Sequence, residues 1–294
     1  ILALSPIVSI FLGGYMPKTL TAFLYRVGSA WLIIMLYSAL AFLLIDIVNV
    51  TRLVPVKQYL FGNWAGFAGF VAVIGLIMVA GYVNYNKKDR VELNIAVDKE
   101  MPSGPLKIVA VSDVHIGFTI GPKELGRWVD MINAEQPDII LIAGDLIDNN
   151  VQVVYDRGMD AVLRRLSARY GVYAAPGNHE YISGIAEADR FYESAGITLL
   201  ADNAVPVADS SVWIIGRDDL SNTKRKTIAE LAAGTDRSRP LIMLDHQPYA
   251  LEQAEQNGID LQVSGHTHDG QVWPLSLVTK AMYEVSHGYQ KKGD

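Results

Sequence analysis

Two long stretches that are almost free of charged side chains dominate the first third of the sequence. Residues 27–50 contain one charge, Asp46, near their end, and residues 59–86 contain none. A helix needs about 20 apolar residues to cross a hydrocarbon core about 30 Å thick, so each stretch is long enough. Residues 1–12 are apolar but too short, and we interpret them as the end of a helix that begins before the sequence given. We therefore predict one partial and two full transmembrane helices in residues 1–86.

A cleaved signal peptide and the buried helices of a soluble core are the alternatives to membrane spans. A signal peptide has a basic start followed by one short apolar run, whereas this region has two further long runs and begins without a basic residue. Helices of a soluble core usually keep a polar face, which these stretches lack. We therefore favour membrane spans over both alternatives.

Basic residues near the ends of the two stretches predict the orientation of the chain. The loop between the stretches contains only two basic residues, Arg52 and Lys57. The basic residues on the opposite side are Lys18, Arg26, Lys87, Lys88 and Arg90. The positive-inside rule then predicts a multi-pass membrane protein with the chain after residue 86 in the cytoplasm. Asp46 is interpreted as an interfacial residue at a helix end rather than as an ion or proton carrier, because the other span offers no acid or base as a partner.

The rest of the chain has the composition of an acidic globular domain. Lys and Arg number 25 and Asp and Glu 31, and only five of these charges precede residue 86. The formal net charge of −6 therefore arises in the later part of the chain, which argues against a broad basic surface for nucleic acid. With 50% hydrophobic residues and no cysteine, the chain is neither disordered nor stapled by disulfides.

Short apolar runs alternate with amphipathic patterns in residues 106–294, which we predict to form one domain that continues beyond the sequence given. Residues 87–105 are predicted to be a linker with a first strand at 91–97, where apolar and polar side chains alternate. Further predicted strands are 108–111, 139–143, 172–175, 241–244 and 261–263, with an antiparallel portion at 197–200, 205–207 and 212–215. Predicted helices are 122–134, 156–167, 186–195, 226–233 and 249–256. This order is typical of an α/β domain in which helices cover a sheet.

Polar motifs directly follow five of the predicted strands. In open α/β sheets the loops at the carboxyl ends of strands converge on the ligand site, so we expect these motifs to meet in space. Their side chains are Asp, Asn and His without a thiolate, a set that suits divalent metals such as Mn, Fe or Zn. The motifs are Ser112-Asp113-Val114-His115, Gly144-Asp145-Leu146-Ile147-Asp148, Gly177-Asn178-His179-Glu180, Asp245-His246 and Gly265-His266-Thr267-His268.

Each motif taken singly has an ordinary structural explanation. An Asp after a strand is commonly a helix N-cap, and a lone His is more often a satisfied polar residue than a metal ligand. Five such coincidences at strand ends favour a metal site instead. Asp-x-His and His-x-His place both side chains on one side of an extended backbone, where they can bind one ion. Glycines before the ligands permit a tight turn or a close approach of the backbone.

The ordered set of motifs resembles the calcineurin-like metallophosphoesterases. Their pattern is Asp-x-His, Gly-Asp-x-x-Asp, Gly-Asn-His-Asp/Glu, a lone His and Gly-His-x-His, and all five blocks occur here in order over residues 106–271. The resemblance implies layered sheets flanked by helices. It is closest in style to bacterial members tethered to the inner (cytoplasmic) membrane, some of which cleave the pyrophosphate of UDP-2,3-diacylglucosamine in lipid A synthesis.

The resemblance also implies roles for individual residues. One divalent cation would be bound by Asp113, His115 and His268, a second by Asn178, His246 and His266, and Asp145 would bridge the two. His179 matches the catalytic histidine of the family, with Asp148 or Glu180 as candidates to orient it. Many members carry an arginine after Gly-Asp-x-x-Asp, where this chain has Asn149. That departure argues against the protein serine/threonine phosphatase branch.

Two adjacent cations would explain how such a ligand set hydrolyses a phosphate ester. They can lower the pKa of a shared water towards neutrality, hold the phosphoryl oxygens and orient in-line attack by the resulting hydroxide. His179 is not needed as a ligand and is free to protonate the leaving oxygen. We predict a membrane-anchored phosphodiesterase or pyrophosphatase with two Mn, Fe or Zn ions, whose substrate is lipid-linked. A signalling domain that binds metal and nucleotide without turnover is the alternative.

Two further segments each allow two interpretations. The apolar residues Trp273, Pro274, Leu275, Leu277, Val278 and Met282 lie just beyond the last ligands. They are expected to pack in the core, or in a membrane-anchored enzyme to face the bilayer or an acyl chain. Arg217-Asp218-Asp219 is expected to be a solvated loop, with a position in the substrate cleft as the alternative.

Overall fold

The computed structural model describes residues 2–52 and 56–293. Its contacts divide the chain into two compact units, Ile1–Ile95 and Ala96–Asp294. The first unit consists of helices, and the second contains strands and helices in alternation.

The helices of the first unit are α1 (Ser5–Leu12), α2 (Lys18–Val50), α3 (Val56–Phe61) and α4 (Trp64–Asn86), with short 3-10 turns at Leu2–Leu4 and Gly13–Tyr15. Among the described residues, α2 and α4 are long and apolar enough to cross a membrane, with 33 and 23 residues. Most of their side chains are exposed, which differs from the helices of a soluble core. They are candidate transmembrane spans. Asp46 forms an ion pair with Lys57 at 2.8 Å, a partner outside α2 and α4.

The second unit contains two four-stranded sheets. The strands are β1 (Ile108–Val111), β2 (Ile139–Ala143), β3 (Val172–Ala175), β4 (Thr198–Leu199), β5 (Asn203–Val207), β6 (Val212–Gly216), β7 (Leu241–Leu244) and β8 (Leu261–Val263). The first sheet has the order β1-β2-β3-β4 and is parallel throughout. The second has the order β5-β6-β7-β8, in which only β5 and β6 run antiparallel.

Helices and a final 3-10 turn complete the second unit. They are α5 (Pro122–Ala134), α6 (Val151–Asp156), α7 (Met159–Leu163), α8 (Asn178–Ile182), α9 (Ile185–Ser194), α10 (Ile228–Ala233), α11 (Leu251–Gln256), the 3-10 turn His268–Gly270 and α12 (Leu275–Met282). Local chemistry determines where several of them begin. Pro122 supplies the first residue of α5, and Thr227 and Glu230 form a reciprocal capping box at the start of α10.

The apolar side chains of the central strands point alternately to two cores. In β2, Ile139 and Leu141 pack with residues of the second sheet, so the two sheets share one apolar layer. Ile140 and Ile142 of the same strand face the other way and pack with residues of α5, α6, α7 and α9. The second sheet packs in the same way against α10 and α11 on its outer side. This arrangement has layered sheets with helices on both outer faces, which confirms the predicted fold class.

Most predicted strands form with the expected bounds, and three local predictions are wrong. The strand at 197–200 was expected in the antiparallel portion, but it forms β4 and pairs in parallel with β3, because α8 and α9 connect the two strands as a helical crossover. Residues 91–97 form no strand. Alternating apolar and polar side chains do not form a strand without a partner for the backbone hydrogen bonds, and no described strand pairs with this segment. The helix predicted at 156–167 is replaced by α6 and α7, which are separated at Gly158. Gly158 has a φ of 63°, a left-handed conformation that ends the helical hydrogen-bond pattern.

Candidate metal centre

The five motifs meet at one edge of the two sheets. Backbone hydrogen bonds join the loops in pairs: the Asp113 N–H donates to the Gly144 carbonyl at 3.1 Å, and the His115 N–H donates to the Asp145 carbonyl at 3.0 Å. On the second sheet, the Gly265 N–H donates to the His246 carbonyl at 2.9 Å. Adjacent parallel strands thus present their carboxyl-end loops side by side, as expected from the sequence.

Two glycines allow these loops to approach each other closely. A Cβ at Gly177 would lie 2.2 Å from Oδ1 of Asp145, and a Cβ at Gly265 would lie 2.1 Å from Oδ2 of Asp113. Any side chain at either position would therefore displace a candidate ligand.

The backbone at the ligand positions differs from the expected extended form. Five candidate ligands have a left-handed φ, at Asp113 (52°), His115 (48°), Asp145 (52°), His266 (71°) and His268 (47°). Asp-x-His and His-x-His therefore converge through strained turns rather than along an extended strand. Strain of about 1–3 kcal/mol per residue persists only where the surroundings hold it, and it is concentrated at functional sites.

Asp113, His115 and His268 form the first ligand group. Their ligand atoms all lie within 4.8 Å of one another. Nε2 of His268 lies 3.2 Å from Oδ1 of Asp113 and 3.1 Å from Nε2 of His115. These are the three residues that the family resemblance assigns to one cation.

Asp145, His246 and His266 form the second group. Nε2 of His246 lies 3.2 Å from Oδ2 of Asp145. Oδ1 of Asn178 lies 3.0 Å from Nδ1 of His266, so the amide belongs to the same cluster. Oδ2 of Asp145 is also 3.7 Å from Nε2 of His115, which makes this carboxylate the link between the two groups.

The donor set and its spacing fit two divalent cations. Ligand atoms about 2.0–2.2 Å from one ion lie roughly 2.8–3.6 Å apart at octahedral or tetrahedral angles, which matches the closest separations within each group. Nδ1 of His246 donates to the Ala143 carbonyl at 2.8 Å, so Nε2 is the nitrogen that can bind a cation in exchange for its proton. Nε2 is buried without a hydrogen-bond partner among the described residues, beside the Asp145 carboxylate. A cation between these atoms would satisfy both.

The electrostatics of the site also favour bound cations. Burial alone would lower the pKa of the His246 imidazole, but the adjacent Asp145 and the charge of Asp113 outweigh it and raise the pKa to about 9. Burial would likewise raise the pKa of Asp113, but its hydrogen bond with His268 and the charge of His246 lower the pKa to about 2. The carboxylates are therefore ionised and their field attracts positive charge.

His179 lies beside the ligand groups, and its imidazole is held by Asp148. Nδ1 of His179 donates to the backbone carbonyl of Asp148, since a carbonyl oxygen can only accept. Oδ1 of Asp148 lies 3.6 Å from the same nitrogen and 3.6 Å from Nδ1 of His115. A group of His115, Asp148 and His179 could also bind a cation by distance. The proton on Nδ1 of His179 argues against that, and it leaves Nε2 as the reactive nitrogen.

Glu180 does not lie in the position expected of a residue that orients His179. Its carboxylate is fully buried, and within the described chain it accepts hydrogen bonds from the backbone of Asp145, Ile147 and Gly177 at 2.8–3.0 Å. The Tyr192 hydroxyl donates to it at 3.1 Å. Glu180 therefore holds the ligand loops together, and Asp148 is the candidate that contacts His179.

Glu180→Gln is expected to destabilise the second unit by about 2–6 kcal/mol. Each carboxylate oxygen accepts two hydrogen bonds, so a glutamine must turn its NH2 group towards two buried donors, at about 1–3 kcal/mol for each unsatisfied group. The free energy of unfolding in urea measures this change. Glu193→Gln makes the same substitution on the exposed side of α9 and should change stability by less than about 0.5 kcal/mol. Equal effects of the two substitutions would contradict the positioning role.

One network of buried polar side chains was not predicted from the sequence. Asp245, next to His246, pairs with Arg217 at 2.9 Å and with Arg225 at 3.3 Å. Asp218 accepts a hydrogen bond from the Tyr181 hydroxyl at 2.8 Å. The expectation of a solvated loop at 217–219 is therefore wrong, because these side chains are buried by partners distant in sequence. Only the position of Asp245 beside a candidate ligand hinted at this network.

Comparisons with known proteins agree with the fold. A family model described as calcineurin-like phosphoesterase matches residues 106–270. An uncharacterized metallophosphoesterase from Helicobacter pylori (strain J99) is 30% identical over 78% of this chain and 62% of its own length. A transmembrane protein with metallophosphoesterase domain from Danio rerio is 32% identical over 71% of this chain and 51% of its own length. The chain thus spans between half and two thirds of these two relatives.

Proposed function

The chain belongs to the calcineurin-like phosphoesterase family, and from that premise we propose that it is a membrane-anchored phosphodiesterase or pyrophosphatase with two divalent metal ions. Family membership suggests a phosphoester hydrolase that uses divalent metals. Our proposal adds to this the class of ester that is hydrolysed, the identity of the metals as Mn, Fe or Zn, and the membrane anchor.

The position of Asp145 between two ligand groups is the observation that carries the proposal. One oxygen of its carboxylate lies 3.2 Å from His246 and 3.7 Å from His115, which belong to different groups. A single structural ion would not need a shared carboxylate with imidazoles on both sides. Paired cations that share a ligand are typical of hydrolytic sites, where both ions act on one phosphoryl group.

The side chains of this site would divide the chemistry between them. Two cations, when bound, supply Lewis acidity and lower the pKa of a water that they share. Asp113, Asp145 and their histidine partners would hold the ions and balance their charge. Asp148 fixes the tautomer of His179 with Nδ1 protonated, so that Nε2, when protonated, can give its proton to the leaving oxygen.

The charges near the candidate metal ligands favour a phosphodiester or pyrophosphate substrate over a phosphomonoester substrate. A phosphomonoester carries about −1.5 to −2 charges at neutral pH, more than the single charge of a diester, and binding it calls for additional positive side chains. Arg217 and Arg225 are both paired with Asp245, so their charges are partly compensated. Position 149 is an asparagine, where many family members carry an arginine.

Hydrolysis of bis-p-nitrophenyl phosphate by the full chain with Mn²⁺ tests the reaction class. We expect turnover that a chelator abolishes and that added Mn²⁺ restores. The ratio kcat/KM for this diester should exceed that for p-nitrophenyl phosphate by about tenfold or more, a difference of about 1.4 kcal/mol in transition-state binding. A preference for the monoester would contradict the diester proposal. Absence of turnover with metal bound would favour the non-catalytic binding domain.

We propose that the candidate spans anchor the chain in the inner membrane, with the catalytic unit in the cytoplasm as the positive-inside rule predicts. α2 and α4 have the length and composition of spans, and the Danio rerio relative is described as a transmembrane protein. An anchor raises the effective concentration of a substrate held in the same bilayer, so we propose a lipid-linked phosphodiester or pyrophosphate, such as a UDP-diacylglucosamine-type compound. Equal turnover of acylated and soluble forms of one headgroup by the reconstituted full chain would contradict this choice.

A further inference from the structure

Helix α12 exposes its apolar side to solvent. Five large apolar side chains in and next to it are at least two fifths exposed: Trp273 (65%), Leu275 (41%), Leu277 (61%), Val278 (51%) and Met282 (62%). The interpretation as core packing, which the sequence favoured for this stretch, is therefore wrong. A contiguous group of this kind marks a surface that contacts another apolar phase.

The helical positions show that α12 is oriented opposite to an ordinary surface helix. Leu277 and Ala281, and likewise Val278 and Met282, are spaced by four residues, so these four exposed side chains share one face of the helix. The polar residues Ser276 and Thr279 lie on the other side of the helix. These two are partly buried, whereas the apolar face is exposed. A helix of a water-soluble surface buries its apolar stripe instead.

Both ends of α12 are fixed to the loop that carries the last ligands. At Gly270 an added Cβ would lie 2.3 Å from the backbone of Leu275, so the turn after His268 packs directly on the start of the helix. Beyond its end, the buried Tyr283 forms a hydrogen bond with the hydroxyl of Tyr249 at 2.9 Å, and its ring contacts His266. The orientation of α12 is thus coupled to the orientation of the candidate metal centre.

Charge and sequence position favour a bilayer as the apolar phase. Residues 271–293 contain three lysines and one glutamate, although the part of the chain after residue 86 is acidic. Lys280 lies in α12 itself, and a lysine beside an apolar face suits the anionic surface of a membrane. Trp273 and Tyr289 are residue types enriched at such interfaces. The segment 87–107 joins α4 to β1 and can extend only about 70–75 Å. A chain anchored through α2 and α4 therefore keeps this domain near lipid.

We infer that α12 is an interfacial helix that inserts its apolar face into the bilayer and presents the metal centre to the lipid headgroups. The inference rests on the membrane anchor in the proposed function, and it adds a second, peripheral contact with lipid. It also gives a physical reason for a lipid-linked substrate, because the scissile phosphate of such a molecule lies at the depth of the headgroups.

Spin labels in the full chain test the insertion directly. The chain contains no cysteine, so single substitutions place one label each. Leu277→Cys reports on α12, Val73→Cys on α4, and Met131→Cys on an exposed apolar position of α5. In vesicles of phosphatidylcholine with phosphatidylglycerol, the label at 277 should collide more with oxygen than with a water-soluble nickel complex. The label at 73 should behave in the same way, and the label at 131 should show the reverse.

The pattern of labels separates failure of this inference from failure of the anchor. A label at 277 that is accessible to water, with the label at 73 in lipid, would overturn the insertion of α12 and leave the anchor intact. Labels at both 73 and 277 in water would overturn the anchor and the inference together. Dipolar broadening between labels at 277 would assign the face to a second copy of the chain and would also overturn the inference.

A functional variant gives an independent test. Leu277→Gln combined with Val278→Gln removes exposed apolar surface, so it should not affect folding. We expect turnover of a phosphodiester headgroup on an acylated lipid in vesicles to fall about tenfold, because less apolar surface enters the bilayer. Turnover of soluble bis-p-nitrophenyl phosphate should be unchanged. Met131→Gln is the matched control and should alter neither rate. Equal losses on both substrates, or no loss on the acylated one, would overturn the inference.

Discussion

Asp145→Asn is expected to remove both bound metal and turnover. Oδ2 of Asp145 lies within 3.7 Å of a histidine from each ligand group, so this oxygen is the one that both cations would share. An asparagine keeps the size of the side chain, but its neutral amide offers one weaker donor oxygen. We expect a loss of at least about 10³-fold in kcat/KM, about 4 kcal/mol of transition-state stabilisation.

Metal analysis and steady-state kinetics of the same preparations measure the effect of Asp145→Asn. Asp189→Asn makes the same chemical change on the exposed surface of α9, and it should leave metal content and rate unchanged. Phosphodiesterase activity retained by a metal-loaded Asp145→Asn protein would contradict the bridging assignment.

His179→Ala is expected to keep both metals and to lose about 10²–10⁴-fold in kcat, the range typical of a general acid. The Nδ1 proton of His179 is bound by the Asp148 carbonyl, so the imidazole is oriented without a metal. The backbone N–H of residue 179, which donates to Asp145 at 2.9 Å, is retained in the alanine variant. The candidate ligand Asp145 therefore keeps this hydrogen bond.

The leaving group distinguishes proton transfer from a merely structural role of His179. A p-nitrophenolate leaves with little need of a proton, whereas an alkoxide needs one, so the loss should be much larger for an alkyl diester. His287→Ala changes a histidine outside the motifs and should have no effect on either substrate. Equal losses on aryl and alkyl diesters, or loss of metal from His179→Ala, would contradict the assignment of His179 as the acid.

Local sequence patterns were sufficient to predict most of the strands and the set of loops that meet. Residues 139–143 and 241–244 are short, wholly apolar runs, and both form strands with these bounds. Since parallel strands end at one edge, the polar residues after them had to converge. The confirmed fold class follows from this alternation, and the clustering of Asp113, Asp145 and His246 follows from the same topology.

Contacts between distant segments explain what the sequence did not predict. Glu180 is adjacent to His179 in sequence, but its carboxylate turns into the core, where three backbone donors from two loops converge. Residues 91–97 alternate as a strand does, yet pairing depends on a neighbour that a local pattern does not specify. The outward apolar face of α12 was also ambiguous, because periodicity gives the faces of a helix and not the side that is covered.

The number of cations bound by the full chain tests the two-metal centre most directly. After saturation with Mn²⁺ and removal of unbound metal, elemental analysis should find two Mn per chain, and Asp145→Asn should bind fewer than two. At most one Mn per chain under saturating conditions, or two Mn that remain in Asp145→Asn, would contradict the paired site built around Asp145.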